Sequence, residues 1–291
     1  MTEDVKFGVI GGSGLYDMPE ITDKTTVSID TPYGPTSTDF MIGTLRGKRV
    51  AFLARHGDGH IYTPTNVPYR ANIWAFKQMG VRFIISVNAC GSLREEIAPG
   101  QIVIPTQISD FTKSARGGRS FFEEGLVAHV DVAQPFCLDL ARKIYASFAQ
   151  VGGTTHKGGN FLIIEGPRFS TRGESEIFRR WGCSIIGMTS VPEAFLAREA
   201  EISYATIAHV TDYDVWHISE QPVTVEAVMR TMRHNVERVK KAIAITVQEL
   251  DFDAVFDSHN ALDNAIMTDK SKVPADIRER LAPIVGRYFT D

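Results

Sequence analysis

Phe83-Ile84-Ile85-Ser86-Val87-Asn88-Ala89-Cys90-Gly91-Ser92 decides how this chain is read. Phe83–Val87 is a short apolar run of the kind that fills a strand buried on both faces. Small and polar residues follow where strand becomes loop. Similar runs recur at Phe7–Ile10, Val50–Ala54, Ile102–Pro105, Phe161–Ile164, Ser184–Met188 and Tyr204–Val210. Between them lie helical patterns at Tyr69–Met79, Pro135–Ala149, Glu174–Trp181 and Pro192–Glu199, with Pro192 suited to a first helical turn. Such alternation predicts an α/β fold around a mainly parallel or mixed sheet. In open sheets of this class the crevice beyond the carboxyl ends of the strands is the usual ligand site.

After the last run, Val225, Val228, Met229, Met232, Val236, Val239, Ile243 and Val247 keep i, i+3, i+4 spacing and predict a long amphipathic helix. A polar stretch then runs from Asp251 to Lys272, followed by a short helix-like piece from Pro274 to Tyr288. We therefore expect one main domain over 1–250 and a tail, 251–291, packed on that domain or on a neighbouring subunit. The chain has 291 residues, close to the size at which single cores stop growing. Apolar residues make up 43% and charged residues 23%, a globular profile. No internal repeat is evident.

A formal net charge of −4 gives no global basic field for nucleic acid or an anionic membrane, so an anion site must be local. The apolar runs fall far short of the roughly 20 residues that span a bilayer. Met1 to Phe7 lacks a basic stretch followed by an apolar one, so no secretory signal is expected and the chain is placed in the cytoplasm. Cys90, Cys137 and Cys183 have no CxxC spacing, which argues for buried thiols and against zinc or a disulfide framework.

Chemistry concentrates at the strand ends. Gly11-Gly12-Ser13-Gly14 is a glycine turn whose backbone N–H groups and Ser13 hydroxyl suit an anion, although such turns are often only turns. It fits neither the dinucleotide fingerprint nor a Walker loop. Ala54-Arg55-His56-Gly57 puts a fixed cation and an imidazole at a strand terminus, where Arg55 can grip phosphate oxygens with paired donors. Asn88 and Ala89 end the third run. Phe169, in Glu165-Gly166-Pro167-Arg168-Phe169-Ser170, is either a stacking partner for a flat base or a packing residue. Thr211-Asp212-Tyr213-Asp214 closes the last run. Its two carboxylates are open to three readings: purine recognition, a divalent-metal pair, or a capping turn.

In order along the chain, Gly11–Gly14, Ala54–Gly57, Ala89–Glu95, Glu165–Phe169, Met188–Glu193 and Thr211–Asp214 resemble the S-methyl-5′-thioadenosine phosphorylase family of the purine nucleoside phosphorylase superfamily. The likeness runs from about Gly8 to about Leu250. It implies a purine nucleoside phosphorylase-like fold, a mixed central sheet with distorted-barrel character flanked by helices. It also implies assembly as a homotrimer, with a dimer of trimers the larger alternative. By the same resemblance Ser13, Arg55, His56, Asn88 and Thr189 contact phosphate, and Ala89 and Met188 line the ribose. Phe169, Asp212 and Asp214 then hold the base, with Asp212 and Asp214 catalytic. His129 is lent by a neighbouring subunit and, with Val225 and Val228, encloses a 5′-methylthio group. Asn88 and Ser13 depart from the commoner threonines but keep hydrogen-bonding capacity. A tail residue such as Leu262 is expected to close the pocket across the interface.

The resemblance thus implies phosphorolysis of a methylthioadenosine, with inorganic phosphate as co-substrate, no metal or organic cofactor, and a small nucleoside as the other partner. Asp212 fits a 6-amino donor, where relatives acting on 6-oxopurines carry an amide. The alternatives are a broader phosphorylase accepting adenosine or inosine, a nucleosidase using water, and a non-catalytic purine sensor on the same fold.

Overall fold

The computed structural model describes residues 5–15, 17–114, 116–217 and 225–289, and the side chains of Ser13 and of residues 225–234 lie outside that description. In chain order the elements are β1 (Phe7–Gly11), β2 (Thr22–Val27), β3 (Phe40–Leu45), β4 (Lys48–Ala54), α1 (Tyr69–Gln78), β5 (Phe83–Ser92), β6 (Ile102–Ile104), β7 (Gln107–Phe111), α2 (Leu138–Val151), β8 (Thr155–Lys157), β9 (Asn160–Ile164), α3 (Arg172–Arg180), β10 (Ile185–Gly187), α4 (Glu193–Glu199), β11 (Ser203–Asp212), α5 (Val225–Glu249), α6 (Ala275–Arg280) and α7 (Ala282–Val285).

Among the described residues all the strands belong to one mixed, 11-stranded sheet that forks at β5. The first half of β5 pairs in parallel with β1, Phe7 opposite Phe83, and all of it runs parallel to β11, Ser203 opposite Phe83. Beyond the reach of β1, the end of β5 pairs antiparallel with β10, Ile186 opposite Gly91. One branch continues through β10, β9 and β7, and the other through β11, β6 and β8. The branches meet where the Gly158 N–H bonds the Ile104 carbonyl at 2.9 Å and the Thr106 N–H bonds the Gly159 carbonyl at 3.2 Å. The ladder itself does not close into a barrel.

Both faces of the central strands are buried, which is why they read as continuous apolar runs. Ile84, Tyr204, Ala208 and Val210 pack against α1, α4 and the C-terminal helices through Ile73, Phe76, Leu196, Ile277 and Leu281. Phe83, Ile85, Ala205 and Ile207 pack on the other side against Leu140, Ile144 and Phe148 of α2 and Val239, Ile243 and Val247 of α5. The C-terminal segment is stitched to the body by Trp74, whose indole N–H bonds the Arg280 carbonyl at 3.0 Å, and by Arg287, 2.8 Å from the buried Glu201 carboxylate.

The structure adds four strands that apolar runs did not announce. β2, Thr22–Val27, is almost wholly exposed and rich in polar residues, an edge strand with no apolar signal to read. β3 is interrupted by Gly43, and β7 and β8 are short or half-exposed. A further correction concerns β5 and β11, which run on to Ser92 and Asp212. Asn88 through Ser92 are strand residues because β10 and β11 both supply them with partners. Cys90, Cys137 and Cys183 are free and buried. Among the described residues no helix is long and apolar enough to cross a membrane.

Candidate active site

Strand β4 delivers Arg55 into the interior, where it is 2% exposed. Its guanidinium meets the Glu193 carboxylate side by side, Nε to Oε2 and Nη2 to Oε1 each at 2.8 Å. Nη2 also bonds the Ser86 hydroxyl at 2.6 Å, and Nη1 bonds the Val87 carbonyl at 3.1 Å. Of five N–H donors, the described residues take four and leave one on Nη1 for a ligand. The paired grip on phosphate expected of Arg55 is therefore taken up by Glu193, because a charge buried this deeply must be neutralised within the protein. Glu193 is wholly buried and also accepts from the Tyr204 hydroxyl at 2.7 Å.

The same network reaches Asn88 and Thr189. The Asn88 amide nitrogen lies 2.9 Å from the Ser86 hydroxyl, and the Thr189 hydroxyl donates to the Asn88 amide oxygen at 2.6 Å. Three residues singled out from separate stretches, Arg55, Asn88 and Thr189, thus share one buried hydrogen-bonded cluster. His56, next to Arg55, opens a tight loop in which Gly57, Gly59 and His60 all take positive φ. At Gly57 a side chain would meet Ile61 at 2.8 Å, so both the space and the φ of 78° call for glycine. The turn brings the Tyr62 carbonyl to 2.9 Å from His56 Nδ1, and His60 stacks on the ring at 4.2 Å between centroids. Burial, aided by the Arg55 charge, pushes the His56 pKa down to about 4, so the ring is neutral at pH 7.

At the far end of β5 the two carboxylates come together. The ladder between β5 and β11 slips by one residue after Val210, which sets Asp212 opposite Gly91 and turns it toward the end of β5. Gly91 leaves the room this requires: a Cβ there would sit 2.9 Å from Asp212 Oδ1 and 3.3 Å from the Asp214 Cβ. Asp212 accepts from the Thr211 hydroxyl at 2.6 Å and from the Asp214 N–H at 2.8 Å. Asp214, held at φ 54°, accepts from the Ser175 hydroxyl of α3 at 2.5 Å. Burial raises the pKa of both, and the Asp212 charge helps lift Asp214 to about 6. Trp216 closes this end, its indole N–H on the Ser92 carbonyl at 2.7 Å and its ring under the Arg179 guanidinium. No group of three or more His, Cys, Asp or Glu among the described residues is placed to hold a metal ion, so the pair has no third ligand there.

The loops between these clusters are tied by a residue that the sequence did not single out. Arg116 is 2% exposed and binds the carbonyls of Met188 at 2.7 Å, Val191 at 2.8 Å and Glu165 at 2.8 Å. Although burial opposes its charge, Glu165 accepts from the N–H groups of Lys113 and Ser114 and from the Thr65 hydroxyl, which hold its pKa down at about 2. These bonds fix the strand end carrying Met188 and the loop carrying Phe169, whose ring is 42% exposed. Ala89 lies opposite His209 in the sheet and is half-buried.

His129 is exposed on a segment whose N–H bonds the Ala265 carbonyl at 2.9 Å. Leu262 is 1% exposed, its N–H on the Glu201 carboxylate, so it packs in the core and does not reach across an interface. The side chains of Ser13, Val225 and Val228 lie outside the described ones. Among the missed residues, Glu193 had a signal, a charge in the apolar stretch Val191-Pro192-Glu193-Ala194-Phe195. Ser175 and Arg116 had none, since each sits in a polar, charge-rich stretch.

Comparison with known proteins points the same way. The profile of the phosphorylase superfamily matches residues 6–248. An S-methyl-5′-thioadenosine phosphorylase of Chloroflexus aurantiacus is 51% identical over 283 residues, 97% of this chain and 98% of that one. Among solved structures, a methylthioadenosine phosphorylase from an Antarctic soil metagenomic library superposes with a TM-score of 0.92 at 43% identity, covering 97% of this chain and 99% of its own. A mutant adenosine/methylthioadenosine phosphorylase of Schistosoma mansoni, solved with adenine, has a TM-score of 0.79 at 34% identity, covering 89% and 96%.

Proposed function

We infer that this chain, which belongs to the phosphorylase superfamily, is an enzyme that cleaves S-methyl-5′-thioadenosine with phosphate to give adenine and 5-methylthioribose 1-phosphate. The observation that carries the reading is the presence, at the two ends of the second half of β5, of a polar cluster built on Arg55, Asn88 and Thr189 and a carboxyl pair built on Asp212 and Asp214. Asn88 and Gly91 are three residues apart, about 10 Å along a strand, which leaves room for a sugar between an anion and a base.

In this reading phosphate lies against the Ser13 loop, Arg55, His56, Asn88 and Thr189, and the sugar lies along Ala89 and Met188. Phosphate attacks C1′ while the base departs from the opposite side. Holding the two reactants in line removes much of the entropic cost of their encounter, on the order of 7–11 kcal/mol at best. The phosphate dianion faces the positive charge that develops on the sugar. Asp212 stabilises the leaving adenine at N7 and Asp214 orients it or takes the amino group, with Phe169 against the ring. Burial of both carboxyls favours retention of a proton by the pair, as protonation at N7 requires. No metal or organic cofactor enters the reaction.

The 5′-methylthio group is assigned to a pocket formed by Val225 and Val228 at the start of α5, with the exposed His129 lent by an adjoining subunit of a homotrimer or of a dimer of trimers. The enzyme is placed in the cytoplasm. A second substrate, adenosine, is favoured by one finding, the adenosine/methylthioadenosine phosphorylase among the structural relatives. The decisive experiment is adenine release from methylthioadenosine and adenosine, and hypoxanthine release from inosine, each with and without phosphate. Release from methylthioadenosine that needs phosphate and exceeds that from inosine is expected. Release without phosphate would make the protein a nucleosidase, and tight binding with no release would make it a sensor.

A further inference from the structure

A neutral imidazole has one donor and one acceptor nitrogen, and its partners decide which is which. For His56 the partner of Nδ1 is the Tyr62 carbonyl, 2.9 Å away, which can only accept, so Nδ1 carries the hydrogen. The same turn returns a bond from the Tyr62 N–H to the His56 carbonyl at 2.9 Å, which holds the loop in that register. Nε2 is therefore left with a lone pair. The charged and titratable groups that bear on the ring are Arg55, His60 and Glu193, and burial together with Arg55 keeps it from gaining a second proton.

The neighbouring cluster is polarised in the same sense. The Ser86 hydroxyl has one hydrogen, and the Glu193 carboxylate 3.1 Å away can only accept it. Toward its other partners Ser86 must then accept, from Arg55 Nη2 at 2.6 Å and from the Asn88 amide nitrogen at 2.9 Å. That fixes the Asn88 amide with its oxygen toward Thr189, whose hydroxyl donates to it at 2.6 Å. The Thr189 hydroxyl hydrogen is thereby committed to Asn88. A carboxylate that touches no ligand thus sets the direction of bonds three residues away.

We propose that this anion site selects a tetrahedral oxyanion that carries a hydrogen, taking monohydrogen phosphate in preference to an unprotonated dianion of the same shape, because His56 Nε2 can only accept. The inference rests on the phosphate reading of His56 given above. Against monohydrogen phosphate Nε2 receives the anion's O–H. Against sulfate, a dianion of similar size with no hydrogen at neutral pH, two acceptors face each other and Nε2 is left without a donor.

The test is competition at pH 7.5 and constant ionic strength, with inorganic phosphate as co-substrate, methylthioadenosine saturating and sulfate as inhibitor. Sulfate is expected to have an inhibition constant above the phosphate KM by about tenfold or more. His56→Gln, whose amide can turn a donor toward the anion, is expected to raise the phosphate KM and bring the two constants within about threefold of each other. A wild-type ratio near one would overturn the proposal, as would a ratio that stays the same in a folded His56→Gln protein. If the variant does not fold, the wild-type ratio alone decides. Adenine release that ignores phosphate would sink the phosphorylase reading itself, whereas phosphate-dependent release with sulfate competing on equal terms sinks only the selection by His56.

Discussion

Arg55 and Glu193 show why residue identity and residue role separate. A strand-terminal arginine was legible as an anion-site residue, but its paired donors face a carboxylate that lies 138 positions along the chain and is itself fully buried. Nothing in a local stretch announces such a partner, whereas Asp212 and Asp214, two positions apart at a strand end, announce each other. Two substitutions separate structure from chemistry here. Glu193→Gln leaves the Arg55 charge buried without its counter-charge, and loss of one member of such a pair costs about 3–5 kcal/mol. A large fall in Tm is expected by calorimetry, with a raised phosphate KM in whatever fraction folds. Asp212→Asn keeps the shape and an oxygen for the Asp214 N–H, and its amide nitrogen can donate to the Thr211 hydroxyl, which has the Cys90 carbonyl 3.2 Å away as another acceptor, but it cannot hold the proton or accept from a 6-amino group as a carboxylate does. Adenine release should fall by about a hundredfold or more while Tm changes little. Unchanged turnover would remove Asp212 from the base site.

At the scale of elements, β5 was recognisable from its apolar first half and β11 from its run Tyr204–Val210, and their ligand-bearing ends were not recognisable as strand. Apolar content falls from Asn88 onward, where small and polar residues flank the core residue Cys90, and such a loss of hydrophobicity resembles the end of a strand. What extends the strand is tertiary, since β10 and β11 each pair with Gly91. The exposed β2 escaped for the opposite reason, having an edge position and no apolar side to display. The one-residue slip in β11 and the missing side chain at Gly91 are a matched pair of features. Gly91→Ala puts a methyl 2.9 Å from Asp212 Oδ1 and 3.1 Å from Ile186, closer than packed atoms approach. Overpacking of this kind costs about 1–3 kcal/mol. The expected result is a modest loss of Tm with a disproportionate drop in kcat, at least tenfold by the same order of energy if the strain falls on the carboxyl pair. Equal, small losses in both would mean that the sheet yields and the Asp pair does not.

Over the whole molecule, the buried ionisable groups pull stability in opposite directions with pH. His56, His209 and His259 are held to about 4 mainly by burial, so between about 6.5 and 4 the unfolded chain binds protons that the folded chain refuses, and stability falls as pH falls. Asp214 at about 6 and Glu199 at about 7 are raised mainly by burial, so over about pH 4 to 7 the folded chain holds protons that the unfolded chain has lost, and stability rises as pH falls. The two sets offset each other in part, the three histidines outweighing the two carboxyls, and a net fall of Tm is expected from pH 7 to 4.5. Glu199 isolates one side of that balance. Its carboxylate accepts from the Phe121 N–H at 2.7 Å, Glu123 raises its pKa further, and Arg70 opposes the rise. None of these residues belongs to the candidate site. A folded-state pKa above the unfolded value means that the stability Glu199 contributes is fully present below about 4.5 and is lost as pH rises through about 7. Glu199→Gln keeps an oxygen for the Phe121 N–H and has no charge to lose. The variant should therefore match the wild type at pH 4.5 and exceed it at pH 8 by on the order of 1–3 kcal/mol, read as a higher Tm by calorimetry at the two pH values. A variant that is equally destabilised at both would show that the Glu199 carboxylate is charged in the folded protein throughout, with Arg70 outweighing burial.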